Sequence, residues 1–403
     1  MDKARHQKRK SGRDINEEHR VSTPLELFFD LTFAIGLTVI GQQLSGFLAK
    51  GDLFASLLSF CIAMLAICWA WMNYSWFASA YDTDDITFRV ATMIHMVGVI
   101  VFTLGLPGLF QSIDEGLRLD NSVMVLGYVI MRLAMIFLWI RAAKYDLIRR
   151  RALIANSTAV FIAQVLWAVL IFLRLSLFQA LIAMVVLGCI EFLGPLAFYR
   201  RWGSPPWHPH HIADRYSCLA IIALGEGVSG AVAMTNATVE LRGWSAQPIF
   251  IGTACVGLAF GCWWLYFLNP FGDFLKNRRE RASRWGYLHL LIFSSIVAMG
   301  AGLQLAGKYL EGKSKLSPGA IVAFTAISVG VYISSVLLTN FDSFLNRRRI
   351  FASLGGAFTI LAVSFIMEKM NFSIPVCLGV IAIAPFVVVI GYQTMRSGQN
   401  KGT

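Results

Sequence analysis

The sequence predicts an all-α membrane protein, a polytopic transmembrane bundle of about twelve helices. Of its 403 residues, 57% are hydrophobic and only 14% are charged, and the mean hydropathy is +0.63. A soluble chain of this length needs far more charge to cover its surface. The apolar residues form runs of about 20, the length that crosses a bilayer core. Runs so uniformly apolar are typical of helices rather than barrel strands.

Charged or Gly/Pro-rich segments separate the apolar runs, so that each run ends where water is expected to begin. In chain order the predicted segments are Leu25–Ala49, Leu53–Ala80, Thr87–Phe110, Ser122–Ala142, Ala152–Leu173, Leu177–Phe198, Asp214–Met234, Pro248–Leu268, Trp285–Ala306, Ser317–Asn340, Phe351–Ile366 and Phe372–Tyr392.

The basic residues predict the orientation of these segments. With twelve helices, the main Lys and Arg clusters all fall on the side of the N terminus, which makes both termini cytoplasmic in a cell inner (plasma) membrane. The net charge of +12 is then explained by topology and lipid headgroups, so membrane lipids are expected as partners and nucleic acid is not. The acidic run at 82–85 is placed to pair with the arginine clusters nearby.

A spacing of 194 residues suggests an internal repeat. The four pairs of matching residues are Cys61 and Cys255, Cys68 and Cys262, Trp69 and Trp263, and His95 and His289. We therefore predict a disordered basic tail (1–20), two parallel six-helix halves (21–205 and 206–395) and a short cytoplasmic C-terminal tail (396–403).

Ionisable residues inside the predicted segments are the candidate functional residues, because a charge at bilayer depth is costly. Glu26 and Asp30 are four residues apart and so share one face of the first helix, where each disfavours ionisation of the other. Alternatively, Glu26 only occupies a first turn that favours an acid.

The start of the second predicted half repeats this theme. Arg215 lies near the start of the seventh segment, and Glu226 lies close to mid-membrane. A salt bridge between Glu226 and Arg132 is one structural alternative, and Glu191 is another partner for Arg132.

Two histidines within the predicted membrane segments, His95 and His289, are candidates for proton transfer or pH gating. The alternative is a structural hydrogen bond from each ring to a backbone carbonyl.

Two further motifs are interpreted as structural. Residues 225–230 match GxGxxG, but they lie within an apolar helix, where glycines permit close packing or a local break rather than dinucleotide binding. The run His208-Pro209-His210-His211 resembles a metal cluster but has no cysteine or paired carboxylate nearby. No metal or other cofactor is expected.

The run Thr23-Pro24-Leu25-Glu26-Leu27-Phe28-Phe29-Asp30-Leu31-Thr32-Phe33 resembles the opening signature of the bacterial low temperature requirement protein A family. A second signature of that family is similar to residues 211–215 and 221–226, with Asp214 where the family pattern has glutamate. The resemblance implies a multi-pass bacterial membrane protein associated with growth in the cold. It also implies important roles for Glu26, Asp30, Arg215 and Glu226, and it indicates no substrate.

Together these patterns favour a transporter or permease of an unknown small solute, coupled to protons and without enzymatic activity. The expected pathway residues are Glu26, Asp30, Arg215, Glu226, His95, His289, Arg132 and Glu191. The alternatives are a non-catalytic sensor or assembly factor for growth in the cold, and, with less support, a membrane enzyme acting on lipids.

Overall fold

The fold is all-helical, as expected from the sequence. A computed structural model describes residues 11–15, 17, 20–116, 118–173, 175–339 and 347–399, with side chains left out for 347–350 and 395–399. These described residues contain α-helices, one short 3₁₀-helix and no strand.

Eight helices cover the chain as far as residue 242. They are α1 (Pro24–Lys50), α2 (Leu53–Tyr81), α3 (Ile86–Leu104), α4 (Leu106–Glu115), α5 (Ser122–Tyr145), α6 (Arg150–Phe172), α7 (Leu177–Trp202) and α8 (Pro209–Arg242).

Seven helices follow. They are α9 (Ala246–Phe267), α10 (Phe271–Asn277), α11 (Ala282–Leu310), α12 (Pro318–Thr339), α13 (Arg347–Lys369), α14 (Ile374–Ile381) and α15 (Ala384–Gln399).

Twelve membrane-spanning stretches arise from these helices within the described part of the chain, which confirms the predicted bundle. Three spans consist of two α-helices each: α3 with α4, α9 with α10, and α14 with α15. A fourth joins the short 3₁₀-helix (Arg279–Arg281) to α11. Gly105 separates α3 from α4, and a Cβ there would lie 2.2 Å from the backbone nitrogen of Met124. Only glycine allows these two segments of the backbone to approach so closely.

The chain forms two compact units. The first contains the residues up to Val39 and Leu58–Cys218, and the second contains Ile40–Leu57 and the residues from Leu219 onward. Helices α1, α2 and α8 therefore each contribute to both units. The predicted division into halves at residue 205 stays a prediction.

In the first unit, α3 packs on α5, α5 on α6, and α6 on α7. Only 11% of the residues in the most apolar stretch of α7 are buried, so most of the surface of that helix is exposed, as expected for a helix that faces lipid. In the second unit, α11 packs on α12, α12 on α13, and α9 on α14 and α15. The corresponding buried share of α11 is 83%, which makes it the central helix of that unit.

The acidic run after α2 pairs with arginines, as predicted. Asp85 contacts Arg141, and Asp84 forms a 2.9 Å ion pair with Arg89. An oxygen of Asp82 lies 3.6 Å from the guanidinium of Arg13.

The segment before α1 contacts the end of α2. The Arg13 backbone nitrogen donates to Ala80 O over 2.9 Å, and Arg20 Nη2 donates to Ala78 O over 2.9 Å. These parts of the predicted tail are therefore packed against a helix end. Its residues 1–10, 16, 18 and 19, and residues 400–403 of the predicted C-terminal tail, lie outside the described residues.

Candidate functional site

The first turn of α1 places two carboxylates in the interior of the first unit. The Thr23 backbone nitrogen donates to Glu26 Oε2 over 2.9 Å, and the Glu26 nitrogen donates to Thr23 Oγ1 over 3.3 Å. This reciprocal pair is a capping box, which orients the Glu26 side chain. Asp30 lies one turn further on the same face, and neither side chain is exposed.

The start of α8 supplies the partners of both carboxylates. Arg215 donates to Asp30 from Nη2 over 2.6 Å and from Nε over 3.1 Å, and its Nη1 lies 3.0 Å from Glu26 Oε1. One turn earlier, His211 Nε2 lies 3.2 Å from Glu26 Oε2. Arg215 and His211 are both fully buried. We call these four residues the acid cluster.

Aromatic side chains enclose the acid cluster. Trp71 Nε1 donates to Asp30 Oδ1 over 2.6 Å. The Arg215 guanidinium lies 5.9 Å from the ring centres of Phe29, Trp71 and Tyr74, within the range of a cation–π attraction. These rings exclude water, so the electrostatic interactions inside the cluster are strong.

Asp214, next to Arg215, joins α8 to the segment before α1. Its Oδ2 accepts bonds from the Ser22 hydroxyl over 2.6 Å and from the Ser22 backbone nitrogen over 3.1 Å. Asp214 therefore positions the start of α1 and contributes no free carboxylate to the acid cluster.

A second buried ion pair lies elsewhere in the first unit. Arg132 Nη2 donates to Glu191 Oε2 over 2.7 Å, and the Tyr128 hydroxyl donates to the same oxygen over 2.6 Å. Gln164 and Trp167 donate to Glu191 Oε1 over 2.9 and 3.1 Å. Of the two alternatives for Arg132, the structure contains the pair with Glu191. In this pair α7 brings Glu191 to Arg132 on α5, within the first unit.

The two candidate histidines have different surroundings. His95 packs against Phe29 and Tyr74, with ring centres 5.1 and 5.5 Å away, and neither of its ring nitrogens has a hydrogen-bond partner among the described residues. In the second unit, His289 Nδ1 bonds the Trp285 carbonyl over 2.8 Å and Nε2 bonds the Tyr266 hydroxyl over 3.0 Å. The alternative of a carbonyl-bonded histidine therefore describes His289.

Glu226 lies in the second unit and is 6% exposed. Its helix, α8, continues without a break from Pro209 to Arg242, so the glycines of the GxGxxG match do not interrupt it. Of these glycines, Gly230 packs most closely, since a Cβ there would lie 2.7 Å from the Gly300 backbone oxygen. A Cβ on Gly300 of α11 would lie 2.7 Å from the Glu226 backbone oxygen, and one on Gly41 would lie 3.5 Å from Glu226 Oε2.

A polar row continues along α11 from this crossing. Gln304 follows Gly300 by one turn, and its Oε1 accepts a 3.0 Å bond from the Ser45 hydroxyl of α1. Lys308, a further turn on, donates to Ser45 Oγ over 3.0 Å. Buried polar groups in a membrane helix need such partners, and here they form a row from the α8–α11 crossing to the end of α11.

The histidine run at the start of α8 forms hydrogen bonds that hold the chain locally. The His211 backbone nitrogen donates to His208 Nδ1 over 3.2 Å, and the His208 nitrogen donates to Ser79 Oγ over 3.0 Å. Within the described ranges, no three His, Cys, Asp or Glu side chains are arranged to hold a metal ion.

The structure brings Glu26, Asp30 and Arg215 together and pairs Arg132 with Glu191. It places Glu226 and His289 in the second unit. Sequence reasoning missed His211 and Trp71 as members of the site. The four-residue spacing between His211 and Arg215 was a usable signal, because it puts both on one helix face. Nothing local marks Trp71, which reaches Asp30 from another helix.

Comparison with known proteins gives a match at the level of a family. Neither curated proteins nor solved structures contain a significant match to the chain. The family model described as bacterial low temperature requirement A protein (LtrA) matches residues 21–390, nearly the whole chain, including the acid cluster. The chain therefore belongs to the bacterial low temperature requirement A protein (LtrA) family.

Proposed function

We propose that this protein is a proton-coupled transporter or permease of a small solute, and that the acid cluster is its proton-binding site. The observation that carries the proposal is the excess of one negative charge in a fully buried site. Two carboxylates, Glu26 and Asp30, face one guanidinium, Arg215, at distances of 2.6 to 3.1 Å.

A buried net charge is costly in a membrane, and binding one proton neutralises it. The Arg132–Glu191 pair differs in this respect, because one cation faces one anion and four donors satisfy the carboxylate. That pair therefore suits a structural role, whereas the acid cluster suits reversible protonation.

Glu226 is the proposed proton-binding carboxylate of the second unit. It is buried where α8 crosses α11, and the polar row of Gln304, Ser45 and Lys308 continues from there to the end of α11. A carboxylate at the head of a row of polar groups is the arrangement expected of an ion pathway.

The proposal includes an inner-membrane location with both termini in the cytoplasm, as the distribution of Lys and Arg favours. It also includes an internal repeat, supported by the pairs separated by 194 residues. His95 and His289 both lie fully buried in the third span of their halves, in contact with aromatic rings. No enzymatic step is proposed.

Proton flux into proteoliposomes, read with a trapped pH dye, tests this function. We expect wild type to carry a flux that Asp30→Asn and Glu226→Gln each abolish, since the first change removes the excess negative charge that attracts the proton to the acid cluster and the second removes the proposed proton-binding carboxylate of the second unit. Asp52→Asn is the matched control, because Asp52 is exposed and asparagine can still cap α2 as Asp52 does.

Flux that persists in folded Asp30→Asn and Glu226→Gln protein contradicts the proposed carboxylates. A folded wild type without flux contradicts proton transport. If such a protein turns over labelled lipids, it is a membrane enzyme, and if it only crosslinks to a partner, it is a sensor or assembly factor.

A further inference from the structure

The partners of the two carboxylates in the acid cluster show where a mobile proton can reside. Asp30 accepts two bonds from Arg215 and one from Trp71, with lengths of 2.6 to 3.1 Å. All three donors are groups that do not release their protons at ordinary pH. These donors favour the charged form of Asp30 and offer it no proton to exchange.

Glu26 has one partner of a different kind. Its Oε2 lies 3.2 Å from His211 Nε2, and imidazole is the side chain whose charge changes most readily near neutral pH. The other ring nitrogen, His211 Nδ1, is buried and has no hydrogen-bond partner among the described residues. An Nδ1 that is free to accept a proton fits a tautomer in which Nε2–H donates to Glu26.

We infer that the exchangeable proton of the acid cluster is held by the His211–Glu26 pair, and that His211 Nδ1 is the atom that accepts it. This inference rests on the proposed function. It places the proton on His211 rather than on Asp30, although in the sequence His211 stands out only as part of a run that resembles a metal cluster.

The proton balance of the step is simple. The neutral imidazole carries its proton on Nε2, and the incoming proton adds to Nδ1 to give an imidazolium. The new positive charge offsets the excess negative charge of Glu26, Asp30 and Arg215. The imidazolium then releases a proton to water from either ring nitrogen, or it passes the Nε2 proton to Glu26 Oε2. No bond other than N–H or O–H changes.

Charged groups on the neighbouring elements interact electrostatically with this pair. Glu26 faces His211 from α1, Arg215 lies one turn along α8, and Arg20 acts on His211 from the segment before α1. His208 accepts the His211 backbone N–H, and burial lowers the pKa of His208, which disfavours a second cation beside His211. Asp82 acts on Glu26 from the loop after α2.

The position of the pair also favours proton entry. His211 and Glu26 both lie in the first turn of their helices, whereas Asp30 and Arg215 lie one turn deeper. A proton that arrives from the aqueous side therefore meets His211 before it meets Asp30.

Nitrogen-15 NMR of the full chain in lipid nanodiscs, labelled at histidine, tests the inference directly across a pH titration. We expect one buried imidazole signal that titrates, that is lost in His211→Gln and that survives in His210→Gln, which changes the exposed neighbour. Glu26→Gln should alter the pH at which this signal titrates, and this second variant serves if His211→Gln does not fold.

The inference is overturned if the signal assigned to His211 keeps one protonation state throughout, or if Glu26→Gln leaves its titration unchanged. Flux measurements separate this failure from failure of the proposed function. Flux that is lost in Asp30→Asn but retained in folded His211→Gln leaves the transporter standing and rejects the His211 site. A titrating His211 in a protein without flux supports the proton site and rejects coupled transport.

Discussion

Asp30 and Glu191 are both buried carboxylates beside an arginine, yet the charge around them differs. Glu191 pairs with Arg132 and accepts four hydrogen bonds, so one anion balances one cation and the carboxylate is satisfied. Asp30 shares Arg215 with Glu26, which leaves one charge unbalanced. At the scale of single residues, this excess charge distinguishes a candidate proton site from a structural ion pair.

Asp82 gives a pH-dependent prediction outside the membrane spans. Burial, reinforced by nearby Glu26, raises the pKa of Asp82 from 3.8 to about 6, against the smaller opposing effects of Arg20, the Asp84 N–H and Arg13. Between these two pKa values the folded chain binds more protons at this site than the unfolded chain. The site therefore lowers the free energy of unfolding as the pH rises from about 4 to about 6.

We expect Asp82→Asn to remove this dependence. Asparagine can still accept the Asp84 N–H, so the stability of the variant relative to wild type should rise over that pH range by about 2 to 3 kcal/mol and then level off. Unfolding in detergent at a series of pH values measures the difference. A difference that is constant with pH, or that grows as the pH falls, contradicts the prediction.

At the scale of helices, glycines set how closely α8 and α11 cross. Cβ atoms built on Gly230 and Gly300 would meet backbone oxygens of the opposite helix at 2.7 Å, which is too close for a carbon atom. The crossing holds the Glu226 backbone against α11, so helix spacing and the position of the carboxylate depend on each other.

Gly300→Ala is therefore expected to force α8 and α11 apart and to destabilise the protein by about 1 to 3 kcal/mol. The matched control is Gly225→Ala on α8, where a Cβ meets nothing within 4 Å. This control should be neutral or stabilising by up to about 1 kcal/mol, because alanine favours the helix. Thermal unfolding in detergent compares the two, and an equal effect of both changes would show that the close crossing is not what matters.

At the scale of the whole molecule, twelve spans and the distribution of basic residues predict the orientation in the membrane. Lys276, at the end of α10, is expected on the cytoplasmic side, and Lys313, after α11, is expected on the opposite side. Both residues are exposed, so both sites can be labelled.

Lys276→Cys and Lys313→Cys, each in a chain without its native cysteines, test this orientation with a membrane-impermeant maleimide. In spheroplasts we expect Lys313→Cys to react at once and Lys276→Cys to react only after the membrane is permeabilised. The reverse pattern would invert the topology, and immediate labelling of both positions would contradict the predicted arrangement of spans.

The sequence by itself determined the class of the protein, its twelve spans and its family, because length and hydropathy are local properties that the bilayer imposes on each segment. It also determined that Glu26 and Asp30 share a face, since a spacing of four residues follows from helix geometry alone. Three of the acid-cluster residues were therefore identified as candidates in advance.

Only the tertiary structure decided how these candidates are paired. Arg215 meets Asp30 across 185 residues of sequence, and Arg132 meets Glu191. His211 completes the acid cluster, and Trp71 encloses it. Such pairings depend on how each helix is rotated and which face it packs against its neighbours. Rotation and packing arise from the fit of many side chains at once, and no local pattern in the sequence encodes them.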